Sequence, residues 1–201
     1  MRLRIKYLPV LLLTIAAVSS APAAAQAAPE NAKKPFHFDL ALDYSYAHSN
    51  APPGGCGCFN LNGGSATLAF PIKRSRFALV ADGIGVHGYN ITSADYEITL
   101  SAYTGGVRYL PRFGHSTWQP FGQVLVGVAH SSGTLVQGPQ SPTTNSGAAF
   151  AANVGGGLDK RINHRFSIRL IDADYLVTTF DNNVNNHQNN TRISAGVVIH
   201  F

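Results

Sequence analysis

The sequence predicts an all-β chain: eight antiparallel strands in up-and-down order, closed into a transmembrane β-barrel. Three observations predict it. Segments in which apolar and polar residues alternate recur along the chain, with no helical period between them. Their connections alternate as well, with long neutral loops rich in Pro, Gly and Asn at one end and short turns at the other, as up-and-down topology produces. Charge follows the same division. Lys33, Lys34, Lys73, Arg74, Arg76, Arg108, Arg112, Lys160, Arg161 and Arg165 map to the short-turn end, ten of the twelve basic residues beyond the leader. A soluble surface would scatter them. In hydrocarbon every backbone N–H and C=O needs an internal partner, so strands can span only as a closed barrel.

The leader comes first. Arg2, Arg4 and Lys6 precede an apolar run from Leu8 to Val18 that is too short to cross a bilayer, and Ser19 to Ala28 is rich in small residues, with A-x-A sites ending at Ala25 and Ala27. Residues 1–27 are therefore expected to be a secretory signal peptide, cut after Ala25 or Ala27, the second leaving 174 residues as residues 28–201, one barrel domain. No Cys follows either site, so no lipoprotein anchor is expected. The formal charge of +5 includes the three basic residues of the leader and falls to +2 without them. That balance and a secreted destination argue against nucleic acid as a partner. Beyond the leader no apolar run is long enough for a transmembrane helix.

The strands follow in order. From Phe36 to His48, Phe36, Phe38, Leu40, Leu42, Tyr44 and Tyr46 share one face and His37, Asp39, Ala41, Asp43 and Ser45 the other. A soluble sandwich would alternate similarly, but aromatics at both ends and Asp at mid-strand fit a lipid-facing band over a polar lumen. Asn50 to Gly64 reads as a loop, Ser65 to Ile72 as the second strand with Ala66, Leu68, Phe70 and Ile72 outward, and Lys73 to Arg76 as a turn. In the third, Phe77 to Tyr89, the parity of Phe77 and Leu79 conflicts with that of Ile84 and Val86, and Gly83 and Gly85 between them suggest a bulge. The fourth, Tyr96 to Tyr109, sets Ile98, Leu100 and Ala102 opposite an inward Glu97, with a second possible slip at Gly105-Gly106.

Trp118 to His130 is the fifth strand, with Val124, Val126 and Val128 outward and Gln123, Gly127 and Ala129 inward. Ser131 to Ser146 reads as a long polar loop. Gly147 to Leu158, Arg165 to Phe180 and Asn190 to Phe201 complete the eight, joined by a turn at Asp159 to Arg165 and an Asn-rich loop at Asp181 to Asn190. In the last strand Ile193, Ala195, Val197, Ile199 and Phe201 face one way and Arg192, Ser194, Gly196, Val198 and His200 the other.

An eight-stranded barrel is narrow enough for side chains to fill. Here the lumen is expected to hold Asp39, Asp43, Glu97, Gln123, Asn153, Arg169, Asp174 and Arg192 as paired charges, a structural plug, because an unpaired buried charge is costly. Arg169 and Asp174 differ in parity, so both point inward only if their strand bulges. Cys56-Gly57-Cys58 lies in a loop of an oxidising compartment and reads as a strained loop disulfide or a pair of thiols without catalytic work. A metal there would need two more ligands, and His48 alone is near in sequence. His130-Ser131-Ser132 at the loop end lacks an acid at diagnostic spacing, Asp95 and Asp181 being the available ones, so no catalytic residue is assigned. The remaining histidines are scattered singly and read as rim or turn residues. Tyr44, Tyr46, Tyr89, Tyr103, Tyr109, Trp118 and Phe201 are candidates for interfacial girdles. No cofactor is expected.

The leader, F-H-F-D-L-A-L-D-Y-S-Y, P-F-G-Q-V-L-V-G-V, A-N-V-G-G-G-L-D and R-I-S-A-G-V-V-I-H-F together resemble the small eight-stranded outer-membrane β-barrel family, opacity-type proteins and the OmpA-like barrel domain. The resemblance implies a place in the outer membrane of a Gram-negative cell, contact with outer-membrane lipid, and recognition of the last strand, through Ile193, Val197, Ile199 and Phe201, by the barrel-assembly machinery. Larger OmpA-like proteins carry a peptidoglycan-binding domain after the barrel; with Phe201 last, that activity is not expected here. The expected function is non-enzymatic, polar loops displayed on a filled barrel for envelope integrity or surface contact. A narrow porin-like pore is the alternative, and a lipid-modifying enzyme a further one.

Overall fold

The computed structural model describes residues 37–49, 58–89, 97–111, 116–136, 142–180 and 187–201. Eight strands follow one another: β1 (Asp39–Ser49), β2 (Phe59–Pro71), β3 (Phe77–Gly88), β4 (Ile98–Tyr109), β5 (Trp118–Val136), β6 (Pro142–Arg161), β7 (Phe166–Thr178) and β8 (Gln188–His200). Each pairs antiparallel with the next, and β1 pairs with β8, so the sheet closes. Closure satisfies the ladder groups of every strand and leaves no edge. The expected leader and its cleavage sites lie outside the described residues.

On the short-turn side the alternation follows the membrane. Leu42, Leu79, Val107, Val124, Val126, Val154, Ile168, Ile193 and Val197 are exposed on the outer surface, while Asp43, Asp82, Arg108, Gln123, Asn153 and Arg169 are buried within. Aromatic side chains gather where this apolar band ends. Phe77 packs on Tyr109 at 5.4 Å, Phe38 stacks on Phe201 at 4.6 Å, and Lys160 sits over Trp118.

On the loop side the two faces exchange character. Phe59, Leu61, Ile84, Val86, Leu100, Ala102, Ala129, Ala151 and Leu176 point inward and form one apolar cluster. Outside them stand His48, Asn60, Asn62, His87 and Thr99, linked by hydrogen bonds such as Tyr46 Oη to Asn60 Oδ1 (2.8 Å) and His87 Nδ1 to Thr99 Oγ1 (2.9 Å).

This inversion corrects the expected slips. β3 and β4 pair without a register shift from Phe77 to Gly88 and from Ile98 to Tyr109. Ile84 and Val86 share the inward face of Ala78 and Val80, and Leu100 and Ala102 share that of Thr104 and Arg108. The strands run straight; what changes is the chemistry each face meets. For the same reason β2 begins at Phe59 rather than Ser65, and the expected loop from Ser131 to Ser146 is mostly strand, with Ser131 to Val136 paired against Pro142 to Gly147.

β7 carries a true bulge. Leu158 pairs with Ile171 and Asp159 with Arg169, so Leu170 has no partner on β6. On the other side Arg169 pairs with Gly196 and Asp172 with Ser194. Leu170 and Ile171 are both exposed, and parity flips between Arg169 and Asp172. An extra residue does this by definition of a bulge.

Candidate functional site

The most chemically loaded region is the middle of the lumen. Arg169 of β7 is 1% exposed and grips Asp159 of β6 with two hydrogen bonds, Nε to Oδ1 at 2.9 Å and Nη2 to Oδ2 at 3.2 Å. Its Nη1 reaches Asp43 of β1 at 3.1 Å and Asp172 at 3.5 Å. Arg192 of β8, also 1% exposed, holds Asp174 through Nε at 2.9 Å and through Nη2, and reaches across the barrel to Asp82 of β3 at 2.9 Å. Thr67 donates to the other oxygen of Asp82. Two guanidiniums thus organise five carboxylates drawn from β1, β3, β6 and β7.

Gln123 joins the two centres. Its Nε2 donates to Asp174 at 3.1 Å and to Asp172 at 3.4 Å, and its Oε1 accepts from Nε and Nη2 of Arg108. The Phe121 ring lies within 4.2 Å of the Arg108 guanidinium and 4.9 Å of that of Arg169. Two glycines make room. A Cβ at Gly196 would strike Asp43 and one at Gly155 would strike Asp174, each meeting backbone as well as the carboxylate. Bringing so many charges out of water is costly, and the geometry answers by pairing them, most through more than one bond; Asp43 is held through Oδ2 alone, and its Oδ1 meets no partner among the described residues.

The bulge is what brings Arg169 and Asp174 together inside: without it one of them would face lipid. Asp43, Gln123 and Arg192 lie in the same network. Asn153 is buried, but its Oδ1 meets no partner among the described residues. Asp39 sits lower, at the short-turn rim, bonded to His200. Glu97 is a correction. It is exposed just before β4, on the parity of the outward Tyr103 and Val107, because the polarity inversion, and not a slip, sets that strand's faces. Asp82, Arg108, Asp159 and Asp172 are network members that the sequence did not single out. Arg108 and Asp159 stood next to turns, and Asp82 and Asp172 sat beside the inversion and the bulge.

Among the described residues His130 and Ser131 do not form a catalytic pair. His130 is exposed on the outer face and Ser131 has the opposite parity. Asp95 and Asp181 lie outside the described residues. One Ser–His–Asp chain does exist: Ser167 Oγ meets His200 Nε2 at 2.7 Å, and His200 Nδ1 meets Asp39 Oδ1 at 2.7 Å. Its exposure runs the wrong way for a nucleophile. Ser167 is 0% exposed, whereas the Asp39 side chain is 31% exposed. The chain instead ties β7, β8 and β1 together at the rim, beside the hydrogen bond from Phe201 N to Phe38 O (3.0 Å). Ile193 and Val197 face outward with Phe201, and Ile199 is half-buried. Cys58 is exposed, and Cys56 lies outside the described residues. Among the described residues no cluster of His, Cys, Asp and Glu could hold a metal.

The model of the outer membrane protein beta-barrel domain family matches residues 11–201. Among solved structures the fold is similar to that of neisserial surface protein A, at TM-score 0.60 and 16% identity, over 82% of this chain and 97% of that one. It is also similar to Ail, the attachment invasion locus protein of Yersinia pestis, at TM-score 0.55 and 14% identity over 83% and 99%. A second Ail structure, in complex with the heparin analogue sucrose octasulfate, gives TM-score 0.57 at 14% identity and the same coverage. At these identities the likeness is one of fold. No curated protein matches the chain by sequence.

Proposed function

The chain belongs to the outer-membrane β-barrel family and is a protein of the bacterial outer membrane, and from that premise we propose that it is a non-enzymatic barrel whose lumen, filled at its middle and on the loop side, forms no through-path. Its work lies in the polar loops at the long-loop end, in surface contact or envelope integrity. The observation that carries this reading is the two-part filling of the lumen. Paired Asp and Arg side chains occupy the middle, and an apolar cluster fills the loop side above them. A hydrated ion would have to break the first and dehydrate to cross the second. The last strand, with Ile193, Val197, Ile199 and Phe201 along its outer face, is the segment for the assembly machinery to read. Outer-membrane lipid surrounds the apolar band.

Charge limits what the loops can touch. Apart from lumen-facing Arg192, the sequence has no Lys or Arg in the four long connections or in the strand halves beside them, while Asp95, Glu97 and Asp181 lie there. One Ail structure contains a heparin analogue. This surface lacks the cations that a sulfated glycan needs, so neutral or cationic surfaces suit it better.

Planar-bilayer recording tests the proposal. No stable single-channel conductance is expected from folded, heat-modifiable protein; a stable, ion-selective conductance would overturn the plugged reading.

A further inference from the structure

Below the charged network the lumen widens into a cavity of about 980 Å³ that opens at the short-turn end. This is the size of a small-molecule site. Arg108 forms its floor, Arg161 and Arg165 stand at its mouth, and Pro111 and Trp118 border it at the rim. Two acids also line it, and both are engaged: Asp159 is held by Arg169 and Asp39 by His200. Among the described residues none of the three lining arginines has a carboxylate within salt-bridge distance. Arg161 donates to a backbone carbonyl, that of Asn163. Arg108 is 4% exposed, and the neutral Gln123 and the Phe121 ring hold its guanidinium in place. A preorganised buried guanidinium facing a cavity, with two more at the entrance, matches a ligand carrying several oxyanions.

We propose that this vestibule binds a multivalent oxyanion, a molecule with two or more carboxylate or phosphate groups, entering from the periplasmic side. Arg108 takes the leading anionic group at the floor, and Arg161 and Arg165 close on the trailing ones. The rim beside Pro111 and Trp118 meets the apolar or ring portion. The inference goes beyond the display role of the loops and does not depend on it, since the two lie at opposite ends of the barrel. The anionic groups could come from a soluble periplasmic solute or from the headgroup of an anionic lipid in the inner leaflet.

Trp118 is the protein's one tryptophan and borders the cavity at its rim, so its fluorescence reports occupancy of the mouth. Folded protein in neutral detergent at low salt is titrated with citrate and with pyrophosphate. A saturable change in Trp118 emission is expected in the millimolar range or below, weakened about tenfold or more by Arg161→Gln with Arg165→Gln. Those two side chains are exposed, so the double variant is expected to keep its heat-modifiable mobility. Lys73→Gln with Arg74→Gln removes as much charge from the same end outside the cavity and should leave the titration unchanged. No saturable signal, or an equal loss in both double variants, overturns the proposal. In nanodiscs, suppression of citrate binding by phosphatidylglycerol but not phosphatidylcholine assigns the site to a lipid headgroup. Equal binding in both assigns it to a soluble solute.

Discussion

The two halves of this barrel solve opposite problems with the same strands. On the short-turn side the outside is lipid, so Leu79, Val107, Val124 and Ile168 face out and the lumen holds Asp and Arg. On the loop side the outside carries Asn60, Asn62 and His87, and the lumen holds Phe59, Leu61, Val86 and Leu100. One half is a membrane barrel with a polar core; the other is built like a small soluble barrel with an apolar one. The backbone register is continuous between them in β3 and β4. A strand offers only two faces, and which of them is apolar depends on the solvent at each height. The inversion therefore indicates that the barrel projects past the lipid at its loop end.

Deleting Leu170 together with Ile171 should break the comparison most severely. It sets Arg169 directly beside Asp172, so the two can no longer share the inward face, and keeping Asp172 and Asp174 inside turns Phe166 and Ile168 into the lumen. Loss of the heat-modifiable folded band is expected, while Leu170→Ala, which keeps the residue count, retains it. Next in size is Arg192→Met. It strands Asp82 and Asp174 without their cation, at a cost of about 3–5 kcal/mol in urea unfolding in detergent. A value near zero would show that water or rearrangement replaces the pair.

Leu61→Ala probes the other half. Leu61 is 1% exposed in the apolar cluster, and truncation is expected to cost about 2–5 kcal/mol by the same measurement. An effect below about 1 kcal/mol, the transfer value of a single methylene, would mean that the loop-side lumen is wet rather than packed. The smallest change is Arg74→Gly in the β2–β3 turn. Arg74 has φ of 60°, a left-handed conformation that glycine adopts without the Cβ penalty, so a gain of up to about 1 kcal/mol is expected. Because the turn lies outside both lumen halves, this variant also shows how far stability can shift without touching either.

Much of the fold was legible because its cause is local. From Phe38 to Tyr46, and again from Ile193 to Phe201, alternation alone separates lipid from lumen. The network was half legible. Asp43, Gln123, Arg169, Asp174 and Arg192 carry conspicuous polar groups on strands, whereas Arg108 and Asp159 sit beside turns and look like part of the basic rim. Glu97 misled because its strand was assigned faces by apolarity, a rule valid only where lipid lies outside. Ile84 and Val86 misled in the same way, and glycines beside them made a bulge plausible where none exists. The actual bulge, between Arg169 and Asp172, contains no glycine at all.

The sequence by itself determined the number of strands, their up-and-down order and the polarity of the two ends, because each follows from side-chain period and loop composition within a few residues. Only the tertiary structure decided which aspartate meets which arginine. Asp43 and Arg169 are 126 residues apart, and Asp82 and Arg192 are 110 apart. Closure of the sheet brings both pairs together, and one extra residue in β7 lets Arg169 share the inward face with Asp172 and Asp174. Those contacts depend on the stagger of strands around a ring, a property of the whole barrel that no single strand contains.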